Sequence, residues 1–111
     1  MKIDYTSLLG YEQGARKIHV HLTNLDTRGP GGNHQHSHKA EEAVYFIEGE
    51  AEYTFGGKAH KVGPGDLLFF PSGVEHAEVK YFTDAMKYLV IRSVEGDADE
   101  RCCCGKDRPP A

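Results

Sequence analysis

Three histidines at two-residue spacing, His34, His36 and His38, followed by Glu42, are the residues of this 111-residue chain best suited to chemistry. In an extended strand, residues two apart point to the same side. His36 and His38 can therefore aim their imidazoles at one point. Glu42 lies an even number of residues from both and shares that side if the chain stays extended. Two imidazoles and a carboxylate converging from a rigid surface suit a borderline divalent cation. His34 has the same parity, but the loop before it can break the alternation. It reads as a solvated loop residue, with an alternative ligand or a proton carrier at a pocket mouth as its sharper roles.

The elements that must hold these donors read as short strands. Residues 43–55 read as a hairpin, with Val44–Ile47 as one arm, Glu48-Gly49-Glu50 as the turn and Ala51–Phe55 as the return. Gly56-Gly57 and Gly63-Pro64-Gly65-Asp66 mark further turns around a strand at Lys58–Val62. Leu67–Phe70 reads as a buried strand ended by Pro71-Ser72-Gly73. On the next strand, from Val74, parity puts His76, Glu78 and Lys80 on one face. Met86–Arg92 reads as a last strand buried on both sides. Upstream, Ile18, Val20 and Leu22 are the expected core face of a strand over 15–23, which leaves His19, His21 and Thr23 on a solvated or interface face. Residues 1–14 read as a short strand or arm, 24–33 as a glycine-rich loop, and His60 as a surface residue. Eight to ten short strands at regular spacing point to an all-β barrel or double-sheet jelly roll. One domain is expected over 1–94. Residues 95–111 form a polar tail, expected to be loosely ordered, that contains Cys102, Cys103 and Cys104.

Composition removes several function classes. The net charge is −4 with no basic cluster, which gives no support to nucleic-acid binding. No apolar run approaches the roughly 20 residues that span a bilayer. Met1-Lys2-Ile3-Asp4-Tyr5 carries an acid and no apolar region follows, so a cytoplasmic protein without a signal peptide is expected. Three adjacent cysteines make no disulfide framework and cannot easily converge on one tetrahedral ion.

Two motifs in this chain resemble those of the cupin superfamily, in the form of a small single-domain bacterial cupin. The first has the general form Gly-x5-His-x-His-x3,4-Glu-x6-Gly. His36-x-His38-x3-Glu42-x6-Gly49 fits it, with Pro30 in the place of the leading glycine and Gly31 one later. The second has the form Gly-x5-Pro-x-Gly-x2-His-x3-Asn. Gly65-x5-Pro71-x-Gly73-x2-His76 fits it, and Lys80 replaces the asparagine. The resemblance implies a double-stranded β-helix, or jelly-roll barrel, with a short N-terminal arm. It implies His36, His38, Glu42 and His76 as ligands of one divalent transition metal per chain: Mn, Fe, Ni, Zn, Co or Cu. It also implies a homodimer, which the apolar edges of a small sheet independently favour.

Glu78 beside such an ion could act as a general base, and Lys80 could hold an anionic substrate. By parity Phe46 and Tyr88 belong to the lining that a substrate would touch. The function expected is a metalloenzyme acting on a small sugar-like or carboxylate substrate, by dioxygenase or by isomerase or lyase chemistry. The alternative is a cupin that binds such a molecule without turnover.

Overall fold

The computed structural model describes residues 1–29, 40–74 and 76–93, with side chains described for all of these except 76–79. His34, His36, His38 and the cysteine-containing tail lie outside the described residues. Eight strands follow in order: β1 (Lys2–Leu9), β2 (Ile18–Asp26), β3 (Glu42–Glu48), β4 (Ala51–Phe55), β5 (Lys58–Val62), β6 (Leu67–Phe70), β7 (His76–Tyr81) and β8 (Ala85–Ser93). They form a five-stranded sheet in the order β1-β2-β8-β3-β6 and a three-stranded sheet in the order β5-β4-β7. Leu25, Val44, Phe46, Phe70, Met86, Tyr88 and Val90 of the larger sheet pack in one core with Ala51, Tyr53 and Val62 of the smaller. This is the jelly-roll arrangement the strand spacing implies. The N-terminal arm is strand β1, paired antiparallel with β2 of its own chain. No helix among the described residues is long and apolar enough to cross a membrane.

Local turn chemistry holds where the sequence places it. Gly56 and Gly57, at φ 59° and 76°, make the two-residue turn of the β4–β5 hairpin, in which Phe55 pairs with Lys58. In the next turn the Asp66 amide donates to the Gly63 carbonyl at 3.1 Å, and Asp66 Oδ2 accepts from the Gly63 amide at 2.8 Å.

The expected hairpin over 43–55 is not formed. β3 pairs with β6 and β8 in the larger sheet, whereas β4 pairs with β5 and β7 in the smaller. Gly49 lies at the corner where the chain leaves one sheet for the other. Its φ is 91°, and a Cβ there would overlap the Ala85 carbonyl oxygen and the Met86 sulfur and sit 2.9 Å from Thr83 Oγ1. The Glu50 amide donates to that same Thr83 hydroxyl at 3.1 Å, and the Phe82 amide donates to the Glu50 carbonyl at 2.9 Å. The corner is thus bound to the turn between β7 and β8, and no side chain fits between them.

The alternation on β2 is real, but the faces are exchanged. His19, His21, Thr23 and Leu25 are buried, while Ile18 is 42% exposed and Val20 and Leu22 are only half-buried. β2 and β8 run in register, with His19, His21, Thr23 and Leu25 opposite Arg92, Val90, Tyr88 and Met86. Directly opposed residues share a face. The large side chains of β8 fill the interior and take the polar set of β2 inward with them. β6, expected to be buried throughout, keeps Phe70 in the core with Leu68 packed against it but is open on its other face. Only Phe70 is buried there, with Leu67 61% and Phe69 49% exposed on the outer face.

The Gly49→Ala variant is expected to lose about 3 kcal/mol, from a left-handed backbone denied to alanine plus overpacking. Gly57→Ala, where nothing lies within 4 Å of the added methyl, is expected to lose about 1 kcal/mol. Urea denaturation of the two variants measures both values, and equal losses would refute the corner packing.

Candidate metal centre

The donors can be placed only as far as the ladders carry them. Glu42 opens β3 and is buried to 8% exposure. It stands opposite Phe70 of β6 on one side and Arg92 of β8 on the other. After Phe70 the chain leaves the larger sheet through a turn in which the Val74 amide donates to the Pro71 carbonyl at 3.2 Å and Gly73 takes φ 79°. It enters the smaller sheet at His76, whose backbone is paired with Phe55. The rings of Phe55 and Phe70 meet edge to face at 4.9 Å. The strand positions of Glu42 and His76 therefore flank one aromatic contact from opposite sheets.

Among the described residues no three His, Cys, Asp or Glu side chains form a metal-holding group. His36, His38 and the His76 side chain lie outside those residues. Glu42 stands directly opposite Arg92, and a carboxylate with imidazoles, the expected set, suits a borderline divalent ion by its chemistry.

The other expected site residues fall on both sides of the wall. Phe46 is fully buried, with ring centroids 5.4 Å from Tyr53 and 5.6 Å from Tyr88, so Phe46 and Tyr88 belong to the aromatic core beneath the site. Lys80, expected toward the interior, is exposed, and its Nζ lies 5.4 Å over the Phe82 ring. The cause is a bulge. Adjacent residues Glu52 and Tyr53 of β4 pair with Lys80 and Glu78, two apart on β7, so parity does not carry through the intervening residue. For Glu78 the backbone is opposite Tyr53, and its side chain lies outside the described residues. His60 stacks on Phe55 at 4.2 Å and is half-buried rather than freely solvated.

The interior also holds polar residues that were not expected there. His19, His21 and Arg92 are each 2% exposed, and Thr23 is fully buried. His19, Arg92 and Glu42 form one row across β2, β8 and β3. The His19 and His21 rings lie 5.7 Å apart, and Tyr5 meets His21 edge-on at 5.1 Å. The available signal was continuity: the polar positions of β2 run on in step to Leu25, and Met86, Tyr88 and Val90 run on to Arg92. Where β2 ends, Arg28 donates to both Asp26 carboxylate oxygens, at 2.9 and 2.8 Å. This pairing holds the exposed Asp26 carboxyl well below the usual carboxylate range and pushes the Arg28 guanidinium up. A depressed carboxyl contributes above its ordinary pKa and loses that contribution only as pH falls through the lower folded value. The clasp therefore persists unchanged through neutral and mildly acid solution.

The family follows from fold and sequence together. The cupin-domain profile matches residues 24–92, and the chain belongs to that family. A curated relative, the dimethylsulfoniopropionate lyase DddQ of Ruegeria pomeroyi, is 45% identical over 58 residues. That match spans 51% of this chain and only 29% of the relative's length. KdgF from a Halomonas species superposes with a TM-score of 0.70 at 16% identity, over 86% of this chain and 81% of its own. A predicted oxalate decarboxylase from Thermotoga maritima gives 0.68 at 23% identity, over 83% and 80%. A putative mannose-6-phosphate isomerase from Ralstonia eutropha gives 0.69 at 15% identity, over 83% and 84%. At such identities these structures bear on the fold alone.

Thr23 Oγ1 has no hydrogen-bond partner among the described residues. Replacing it by the isosteric valine relieves a buried hydroxyl of its desolvation cost. The Thr23→Val variant is expected to be more stable by about 1 kcal/mol, read as a raised Tm in calorimetry. A lower Tm would mean that the hydroxyl is satisfied in the folded protein.

Proposed function

We propose that this chain is a metal-dependent lyase for a small carboxylate, with one divalent transition metal held by His36, His38, Glu42 and His76. The observation that carries the reaction class is the 45% identity to a dimethylsulfoniopropionate lyase over 58 residues. What supports the metal is the donor set, together with the burial of Glu42 at the end of the barrel where β7 begins at His76. Elimination from such a substrate removes the proton on the carbon beside the carboxylate and expels the leaving group from the next carbon. A base must take that proton, and Glu78 and His34 are the candidates in this sequence. A bound divalent ion would supply Lewis-acid stabilisation of the charge that develops on the carboxylate. The second reading, a cupin that binds a small acid without turnover, uses the same donors without the base.

His76→Ala is expected to abolish stoichiometric metal in protein purified without added metal, measured by elemental analysis; full retention would overturn the ligand set. Protein loaded in turn with Mn, Fe, Ni, Zn, Co and Cu is expected to release dimethyl sulfide and acrylate from dimethylsulfoniopropionate with at least one of them, detected in headspace gas and by chromatography. Stoichiometric metal without turnover of this or other small carboxylates favours the binding reading. Oxygen uptake in place of elimination would restore the dioxygenase.

The chain is further proposed to act as a homodimer through the outer face of its larger sheet. Two apolar rows cross that face: Val20, Ile91, Ala43 and Phe69, and Leu22, Leu89, Tyr45 and Leu67. Exposed apolar surface of that kind marks an interaction site. Phe69→Asp is expected to give a monomer with metal content unchanged, read by light scattering. A wild-type monomer at micromolar concentration would end this reading.

A further inference from the structure

His60 stands on the inner face of β5, opposite the buried Tyr53 and two residues from the buried Val62. Its ring stacks on Phe55, with centroids 4.2 Å apart and planes 17° from parallel. Phe55 is paired in turn with His76 at the start of β7, and its ring meets Phe70, which is paired with Glu42. We propose, resting on the reading of His76 as a metal ligand, that His60 is a positioning residue for it. By holding Phe55 in place, His60 fixes the strand position from which His76 enters the barrel.

The need for such a support comes from where the two strands end. β7 begins at His76, so the Phe55–His76 pair is the first of its ladder. The first pair of a strand is where fraying starts. β4 ends at Phe55 and is followed by Gly56-Gly57, whose turn has nothing within 4 Å of an added Cβ. That turn supplies no side chain to hold the end of β4. His60 does so from the neighbouring strand. Phe55 pairs with Lys58, and His60 lies two residues beyond Lys58. Diagonal neighbours of this kind share a face and are within reach of aromatic side chains. Phe55 is thus held by two rings from different strands. His60 stacks on it, and Phe70 meets it at 4.9 Å and 81°. A parallel and a perpendicular neighbour together restrict both the tilt and the slide of the ring between them. The residue type suits the place. An imidazole offers an apolar face to a phenyl ring and a polar edge to water, and His60 is half-buried. A metal ligand must be held within about 0.5 Å of its working position by the residues packed behind it. For His76 that support runs through Phe55 to His60.

Wild type, His60→Ala, His60→Phe and Val62→Ala are compared as full-length chains. Amide hydrogen exchange over residues 55–58 and 76–78 is measured on metal-free protein, which is then titrated with Co2+ against a chelator. His60→Ala is expected to bind Co2+ about tenfold or more weakly, with an altered visible spectrum of the bound ion and faster exchange in both segments. His60→Phe keeps a flat ring and is expected to restore affinity and protection to within about twofold. Val62→Ala empties the core from the same strand and face, but opposite Ala51 and away from Phe55. It is expected to lower Tm and leave the Co2+ affinity unchanged. Should His60→Ala fail to fold, His60→Gln takes its place with the same expectation. Unchanged affinity and spectrum in His60→Ala would overturn the proposal. So would a phenylalanine that does not restore them, or a loss of affinity in Val62→Ala as large as that in His60→Ala, which would make the effect one of stability alone. A wild type that takes up no Co2+ ends the metal reading instead. Exchange then decides the role of His60 by itself: faster exchange at 76–78 in His60→Ala upholds it, and unchanged exchange overturns it.

Discussion

The edge-to-face packing of Phe55 on Phe70 is the contact on which the arrangement of the site depends. Each ring stands on a different sheet, and each backbone is paired with a residue of the second cupin motif or the first: His76 with Phe55, Glu42 with Phe70. Residues 34 apart in sequence are thus brought to one end of the barrel without touching one another's strand. The contact continues inward through Tyr53, 6.1 Å from Phe70, and then Phe46 and Tyr88. Aromatic pairs of this kind contribute roughly 0.5–1.5 kcal/mol each beyond the area they bury. The series forms a continuous aromatic floor, and the strand positions of the proposed donors Glu42 and His76, on its two sides, stay together as long as the two sheets stay packed.

Turn chemistry was legible in the sequence because it is local. Gly56-Gly57, Gly63–Asp66 and Pro71–Gly73 adopt the positive φ values and short hydrogen bonds that their residue types require. The pairing of strands was not legible to the same degree. Glu48-Gly49-Glu50 carries the signature of a hairpin turn, yet it is a corner between sheets. What separates the two is whether the strand before the glycine pairs with the one after it or with β8, 40 residues on, and no local rule reports that. Gly49 is required in either case, for its positive φ, but here it also makes room for the carbonyl of Ala85.

The candidate site shows the same division. Glu42 lies on the buried face of β3, which alternates without interruption from Glu42 to Phe46. Lys80 was placed wrongly because parity was counted through a bulge, and a single extra residue exchanges the faces beyond it. His19, His21 and Arg92 were missed for a different reason. Alternation identifies two faces but not which of them is inside, and the apolar face is the usual choice. On β2 the choice follows from its pairing with β8, whose Met86, Tyr88 and Val90 face the core.

That choice has a consequence on the other side of the sheet. A strand has two faces and a fixed period, so polar side chains cannot be gathered inside without sending their apolar neighbours out. Each position given to His19, His21 or Arg92 obliges Ile18, Val20, Leu22, Leu89 or Ile91 to face outward, where Tyr45, Leu67 and Phe69 extend the same surface. A polar interior and an apolar exterior are then one feature of the sequence rather than two. The buried His19, His21 and Arg92 and the proposed dimer face stand on opposite sides of the same backbone. Covering the outer face by a second copy would return, through burial of apolar area at about 25 cal/mol per Å2, part of the stability that a polar interior gives up. In a barrel this small, what is buried on the inner face of β2 and β8 and what is offered on the outer face are therefore set together by strand parity.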